Sequence, residues 1–110
     1  MTIADVLHAC TATAEVMIDA GQPLVAGYTS DLLSDVMAHA PEGCVLITIQ
    51  NHRNTVAVAT LVDAKAILIC HNRPIPPEMA QAAQAEAVAI LRTPLDQFQA
   101  TCRIGAALGG

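Results

Sequence analysis

The chain has 110 residues, is 54% hydrophobic and 14% charged, and carries a formal net charge of −5. That length predicts one domain over 1–110, large enough to bury a core without disulfides or structural metals. The basic residues Arg53, Lys65, Arg73, Arg92 and Arg103 never cluster and Tyr28 and Phe98 are the only aromatics, so the basic stripe and stacking platforms of a nucleic-acid binder are missing.

In chain order, Ile3, Val6, Leu7 and Cys10 fall at helical spacing and predict a short helix over 3–10. AEVMI (14–18) reads as a strand, broken by Asp19, Gly21 and Pro23. LVA (24–26) is a few extended residues running into Gly27. DLLSDVMAH (31–39) puts Leu32, Leu33, Val36 and Met37 on one helical face. Thr29 or Ser30 is its candidate cap, and Asp31 would favour its positive end. CVLITI (44–49) is continuous and β-branched, as a strand buried on both faces should be. TVAVATLV (55–62) has strand-forming residues but lies between two strong strands behind Asn54, a good N-cap, so a helix is predicted. AILIC (66–70) is the next buried strand, and Pro76-Pro77 opens a helix over 77–86. AVAIL (87–91) is a strand. TPLD (93–96) then offers Thr93 as N-cap, Pro94 at the first position and an acid at the third, opening a helix to about Leu108. Strands alternating with helices through short links predict an α/β fold: one open, mainly parallel sheet with crossover helices.

Cys10, Cys44, Cys70 and Cys102 are dispersed and no C-x-x-C occurs, which argues against a zinc knuckle or a thioredoxin-type motif. The Met-Thr-Ile-Ala-Asp start lacks a basic n-region and a long apolar h-region. No apolar run approaches the length needed to span a bilayer. The expectation is a cytoplasmic protein with reduced thiols and no membrane contact.

Hydrogen-bonding side chains concentrate after the strands, in GYTSD (27–31), QNHRN (50–54), HNRPI (71–75) and RTPLD (92–96). In a parallel sheet these loops share the carboxyl edge, where ligands bind. Thr29, Ser30, Asp31, Gln50, His52, Asn54, Arg73 and Thr93 are the candidate ligand-binding residues. Taken singly, each also has a plain structural role: Asn54 and Thr93 as caps, Asp31 at a helix start, His71 and Asn72 as turn residues. Arg53 and Arg73 suit a phosphate or carboxylate, and the helix N-termini at that edge add to it, so the expected ligand is anionic.

Catalytic signatures are weak. Cys70 and His71 are adjacent, and in a strand they would point to opposite faces. His8 and His39 fall on predicted helices away from the edge. His52, His71 and Asp31 could approach one another, but nothing in their spacing demands a metal. G-x-x-x-x-G-K-[ST], G-x-G-x-x-G and G-x-S-x-G do not occur. No catalytic residue, metal or cofactor is assigned.

GYTSDLLSDVM (27–37), QNHRN (50–54) and TPL (93–95) carry a family resemblance over about residues 1–108. The chain resembles a stand-alone DRTGG domain, similar to the N-terminal domain of HPr kinase/phosphorylase. Such domains also occur in some phosphotransacetylases and between CBS domains in certain pyrophosphatases. The name-giving motif would fall where this chain has GQPLVAG (21–27), which keeps its last glycine and lacks the Asp-Arg pair. The resemblance implies a parallel α/β domain related to the N-terminal domain of Mur ligases. It implies regulation and assembly rather than kinase chemistry, and a loose link to anaerobic redox and hydrogenase systems. The expectation is a non-catalytic regulatory module that binds a small anionic metabolite or nucleotide at the carboxyl edge. The alternative is a ligand-free scaffold, a homodimer packed through the 55–62 and 77–86 helices.

Overall fold

Strands and helices alternate almost as the patterning predicts. The computed structural model describes residues 1–109. The elements are α1 (Ile3–Ala9), β1 (Thr13–Val16), β2 (Ala26–Thr29), α2 (Leu33–His39), β3 (Cys44–Thr48), α3 (Arg53–Leu61), β4 (Ala66–Ile69), α4 (Pro77–Glu86), β5 (Ala89–Arg92) and α5 (Gln97–Ala107). They form one five-stranded sheet in the order β1-β5-β4-β3-β2. β2 to β5 run parallel, each beside its neighbour in sequence. β1 joins the far edge antiparallel to β5, with Thr13 opposite Arg92 and a register shift between Ala14 and Val16. Arg92 pairs with Glu15 across that ladder at 2.6 Å. The expected open, mainly parallel α/β sheet is therefore found.

Neighbouring parallel strands joined by right-handed crossovers put every connecting helix on the same face. α2, α3 and α4 accordingly share one face, over Leu46, Ile67, Ile69 and Ile90. α1 and α5 cover the other, over Val45, Ile47, Leu68 and Leu91. Side-chain alternation along β3, β4 and β5 supplies both cores, so these strands read as unbroken apolar runs.

The boundaries differ in physically informative ways. The extended residues before Gly27 lead into a true edge strand, β2. Met17 and Ile18 fall outside β1 and are exposed. Ala87 belongs to no strand: at φ 56 and ψ 42 it caps α4 in the left-handed region. Asn54 is not the cap of α3. His52 holds the cap position without a side-chain cap bond, and Asn54 lies in the first turn. Neither Thr29 nor Ser30 caps α2, whose cap position is Leu32, and Asp31 lies before the helix. Thr93 does not cap α5. Asp96 does, in a reciprocal box with Gln99, because Thr93 is drawn into the core.

Candidate functional site

The carboxyl edge opens a crevice only where adjacent strands send their connections to opposite faces. Here that place lies between β4, which feeds α4, and β5, which feeds α5. It is closed by backbone. The His71 N–H donates to the Leu95 carbonyl at 2.9 Å and the Asn72 N–H to the Thr93 carbonyl at 2.8 Å. Both donors adopt positive φ, 58° and 53°. The polar residues thus divide into separate groups instead of lining one cleft.

The first group is a knot around Asp31. Its Oδ1 accepts from Thr48 Oγ1 at 2.8 Å, from the Ile49 N–H at 2.9 Å and from Gln97 Nε2 at 2.9 Å. Gln50 Nε2 donates to the Asp31 carbonyl at 2.8 Å, and the Gln50 N–H to Thr48 Oγ1 at 3.1 Å. The knot binds the β2–α2 loop, the end of β3 and the start of α5 together. Burial pushes the Asp31 carboxyl up, but the Ile49, Gln97 and Thr48 bonds and the charge of Arg73 outweigh it and hold it below the ordinary carboxylate value. Ser30 stays local, its Oγ accepting from the Leu32 N–H at 3.2 Å. Arg73 is exposed and reaches Asn51 Oδ1 at 3.4 Å, while Asn51 Nδ2 donates to the Pro74 carbonyl at 2.7 Å.

Two expected site residues point elsewhere. Thr29 Oγ1 is 2.7 Å from Thr101 Oγ1 on α5. Thr93 is fully buried, donates to the Cys10 carbonyl at 2.6 Å and accepts from the Leu95 N–H at 3.2 Å. Thr93 is thereby withdrawn from the edge, whereas Thr29 stays exposed beside α5.

The second group is open. His52, Arg53 and Asn54 are exposed together where α3 begins. With Glu78 of α4 they line a depression of about 360 Å³. Arg53 and Asn54 also border a groove of about 460 Å³ running between α3 and α4, past Ala57, Leu61 and Ala82 to Glu86. The site therefore has a polar mouth and an apolar floor. The mouth offers a guanidinium, an amide, an imidazole and the first N–H groups of a nine-residue helix with no side-chain cap. An anionic group would be held there, with Glu78 opposing a second one nearby. Arg53, Glu78 and Gln97 are not among the residues the sequence pattern marks for the site, although Arg53 is expected to suit an anion. For Arg53 the signal was its place between His52 and Asn54. Gln97 is 66 residues from Asp31 and gave none.

Cys70 and His71 do not form a pair. Cys70 packs in the core under α1 and α5, whereas His71 is exposed. Burial, with the charges of Cys10, Asp31 and Asp96, pushes the Cys70 thiol up to about 12, so it stays protonated. Among the described residues, no three His, Cys, Asp or Glu side chains come together as metal ligands, so His52, His71 and Asp31 do not form a trio.

Comparison with known proteins agrees with the architecture. The structure is similar to the CBS and DRTGG domains of the regulatory region of Clostridium perfringens pyrophosphatase, solved with the activator diadenosine tetraphosphate. The TM-score is 0.75 at 14% identity, over 94% of this chain and 45% of that one. The present chain thus spans less than half of that structure's length. Comparison with curated proteins gave no match. Residues 3–107 match the family described as the DRTGG domain, and the chain belongs to that family.

Proposed function

We propose that the chain is a non-catalytic regulatory module that binds a small anionic metabolite or nucleotide, with the anion at the start of α3 and any base or apolar part in the α3–α4 groove. The carrying observation is the joint exposure of His52, Arg53 and Asn54 on an uncapped first turn, opening into an apolar groove. Free backbone N–H groups and a guanidinium suit phosphate, and flat apolar helix faces suit a base. The similar pyrophosphatase region was solved with a nucleotide activator, which supports a nucleotide as the first ligand class to test. In this reading the module is cytoplasmic and works as a homodimer, passing ligand occupancy to a partner protein.

The test is a thermal-shift and calorimetric screen against mononucleotides, dinucleoside polyphosphates and phosphorylated metabolites, with Arg53→Ala and Asn54→Ala in parallel. A ligand at 100 times its dissociation constant adds about 2.7 kcal/mol of stability. A shift that Arg53→Ala reduces supports the site. A flat screen, or a shift equal in both variants and the parent, overturns it.

A further inference from the structure

β2 is an edge strand, paired with β3 alone. Edge strands are ordinarily blunted by shortness, charge, proline or a bulge; β2, Ala-Gly-Tyr-Thr, is short, but within it there is no charge, proline or bulge. α5 runs along it. Phe98, Thr101, Gly105 and Leu108 recur at helical spacing on one face of α5, and the Thr29–Thr101 contact turns that face towards β2. Phe98 is 77% exposed, Leu108 36%, and Val25 and Leu32 at the two ends of β2 are 70% and 64% exposed. Between them lies a slot of about 100 Å³, bordered by Gly27, Thr29, Thr101, Gly105 and Leu108. None of these residues is charged, on a chain of net charge −5; at the borders of this strip Asp35 accepts from the Tyr28 hydroxyl at 2.7 Å and Asp31 from Gln97 at 2.9 Å.

We propose that this strip is the homodimer interface: the two β2 strands pair antiparallel about a two-fold axis, and each Phe98 packs against the partner's Leu108. This rests on the homodimeric part of the reading above and not on its ligand. It replaces the α3 and α4 faces as the contact surface. A second copy fits for three reasons. The strip is self-complementary, since an antiparallel two-fold brings its bulky top, Phe98, to its bulky bottom, Leu108. Its small residues, Thr101 and Gly105, lie near the axis, where two helices must approach most closely. The axis is also shared: Thr29 meets Thr101 and Gly27 meets Ile104, so the middle of β2 and the middle of the strip stand at one height. Of the four exposed apolar side chains, Phe98 alone can bury about 150–250 Å². With Leu108, Val25, Leu32, the strand backbone and the threonines added, the strip contributes towards the roughly 800 Å² per partner of a standard interface. The low charge of the strip minimises repulsion between two acidic copies.

Sedimentation equilibrium on the full chain tests this, with Gly105→Arg, Phe98→Ser and Leu61→Ser. An added Cβ at Gly105 meets nothing within 4 Å, so the substitution starts in open space within one copy, and circular dichroism confirms that the variant is folded before its association is read. The expected result is a dimer whose dissociation constant rises at least about tenfold in Gly105→Arg and Phe98→Ser, a loss of roughly 1.4 kcal/mol, and is unchanged in Leu61→Ser. A monomeric parent overturns the interface and the homodimer together, leaving the ligand site standing. A dimer weakened by Leu61→Ser and indifferent to Gly105→Arg and Phe98→Ser overturns this surface alone.

Discussion

Replacing Asp31 by alanine should be among the most damaging changes outside the apolar core. Oδ1 accepts three hydrogen bonds from two separate parts of the chain, the end of β3 and the start of α5. A bond to a charged group contributes about 1.5–3 kcal/mol, and a buried donor left alone costs about 1–3 kcal/mol. These terms are not additive, and Asp31 is only half-buried, so water recovers part of the loss. A net cost of about 2–4 kcal/mol follows, which at this length lowers Tm by at least about 10 °C. Asp31→Asn keeps an oxygen at the same place and loses the charge, so it should cost only about 1 kcal/mol. The two variants also differ in pH response. The folded carboxyl titrates below its ordinary value of 3.8, so near that value the unfolded chain holds more protons than the folded one. The contribution is complete above the unfolded pKa and is lost as pH falls through the folded one. The stability gap between the parent and Asp31→Asn should be constant at neutral pH and shrink below about pH 4. Comparing the two removes the parallel titration of Asp5, Asp35 and Asp63, which are also held low. Urea unfolding at a series of pH values reads both effects. A cost for Asp31→Ala under about 0.5 kcal/mol, the range of ordinary surface changes, would refute the knot.

Thr93→Val strands the Cys10 carbonyl and the Leu95 N–H inside the protein. It should cost about 1–3 kcal/mol in denaturant unfolding, with Thr93→Ser recovering most of it. Ala87→Gly should stabilise by about 0.5–1 kcal/mol, because alanine at φ 56 carries a Cβ penalty that glycine lacks. In a Cys102→Ser background, a thiol reagent should label the native protein very slowly even at pH 9. The three remaining cysteines are buried, and Cys70 is pushed up to about 12. Rapid labelling there would mean that the core under α1 and α5 opens readily.

The sheet was legible because its central strands are buried on both faces. CVLIT and AILI admit no other reading once short links separate them from helices. What escaped was decided by long-range contact. Thr93 and Asp96 both begin plausible capping patterns three residues apart, and local chemistry cannot rank them. The Cys10 carbonyl ranks them by accepting from Thr93, 83 residues along the chain. Asp96 and Gln99 are then left to close the cap. The antiparallel placement of β1 was equally silent. Thr-Ala-Glu-Val says that one residue is buried, and not which neighbour it meets.

The site shows where concentration of polar residues misleads. The sequence correctly put GYTSD, QNHRN, HNRPI and RTPLD on one edge, but an edge is not a cleft. Consecutive parallel strands send their loops the same way and leave no gap between them. The one gap, between β4 and β5, is filled by two backbone hydrogen bonds. The side chains richest in hydrogen-bonding capacity, Asp31, Gln50 and Thr48, are consumed in holding three loops together. His52, Arg53 and Asn54 remain available at a helix start with no side-chain cap, and His71 and Asn72 stay exposed in the next loop. Availability, more than polarity, distinguishes them, and it depends on which donors and acceptors the fold has already satisfied.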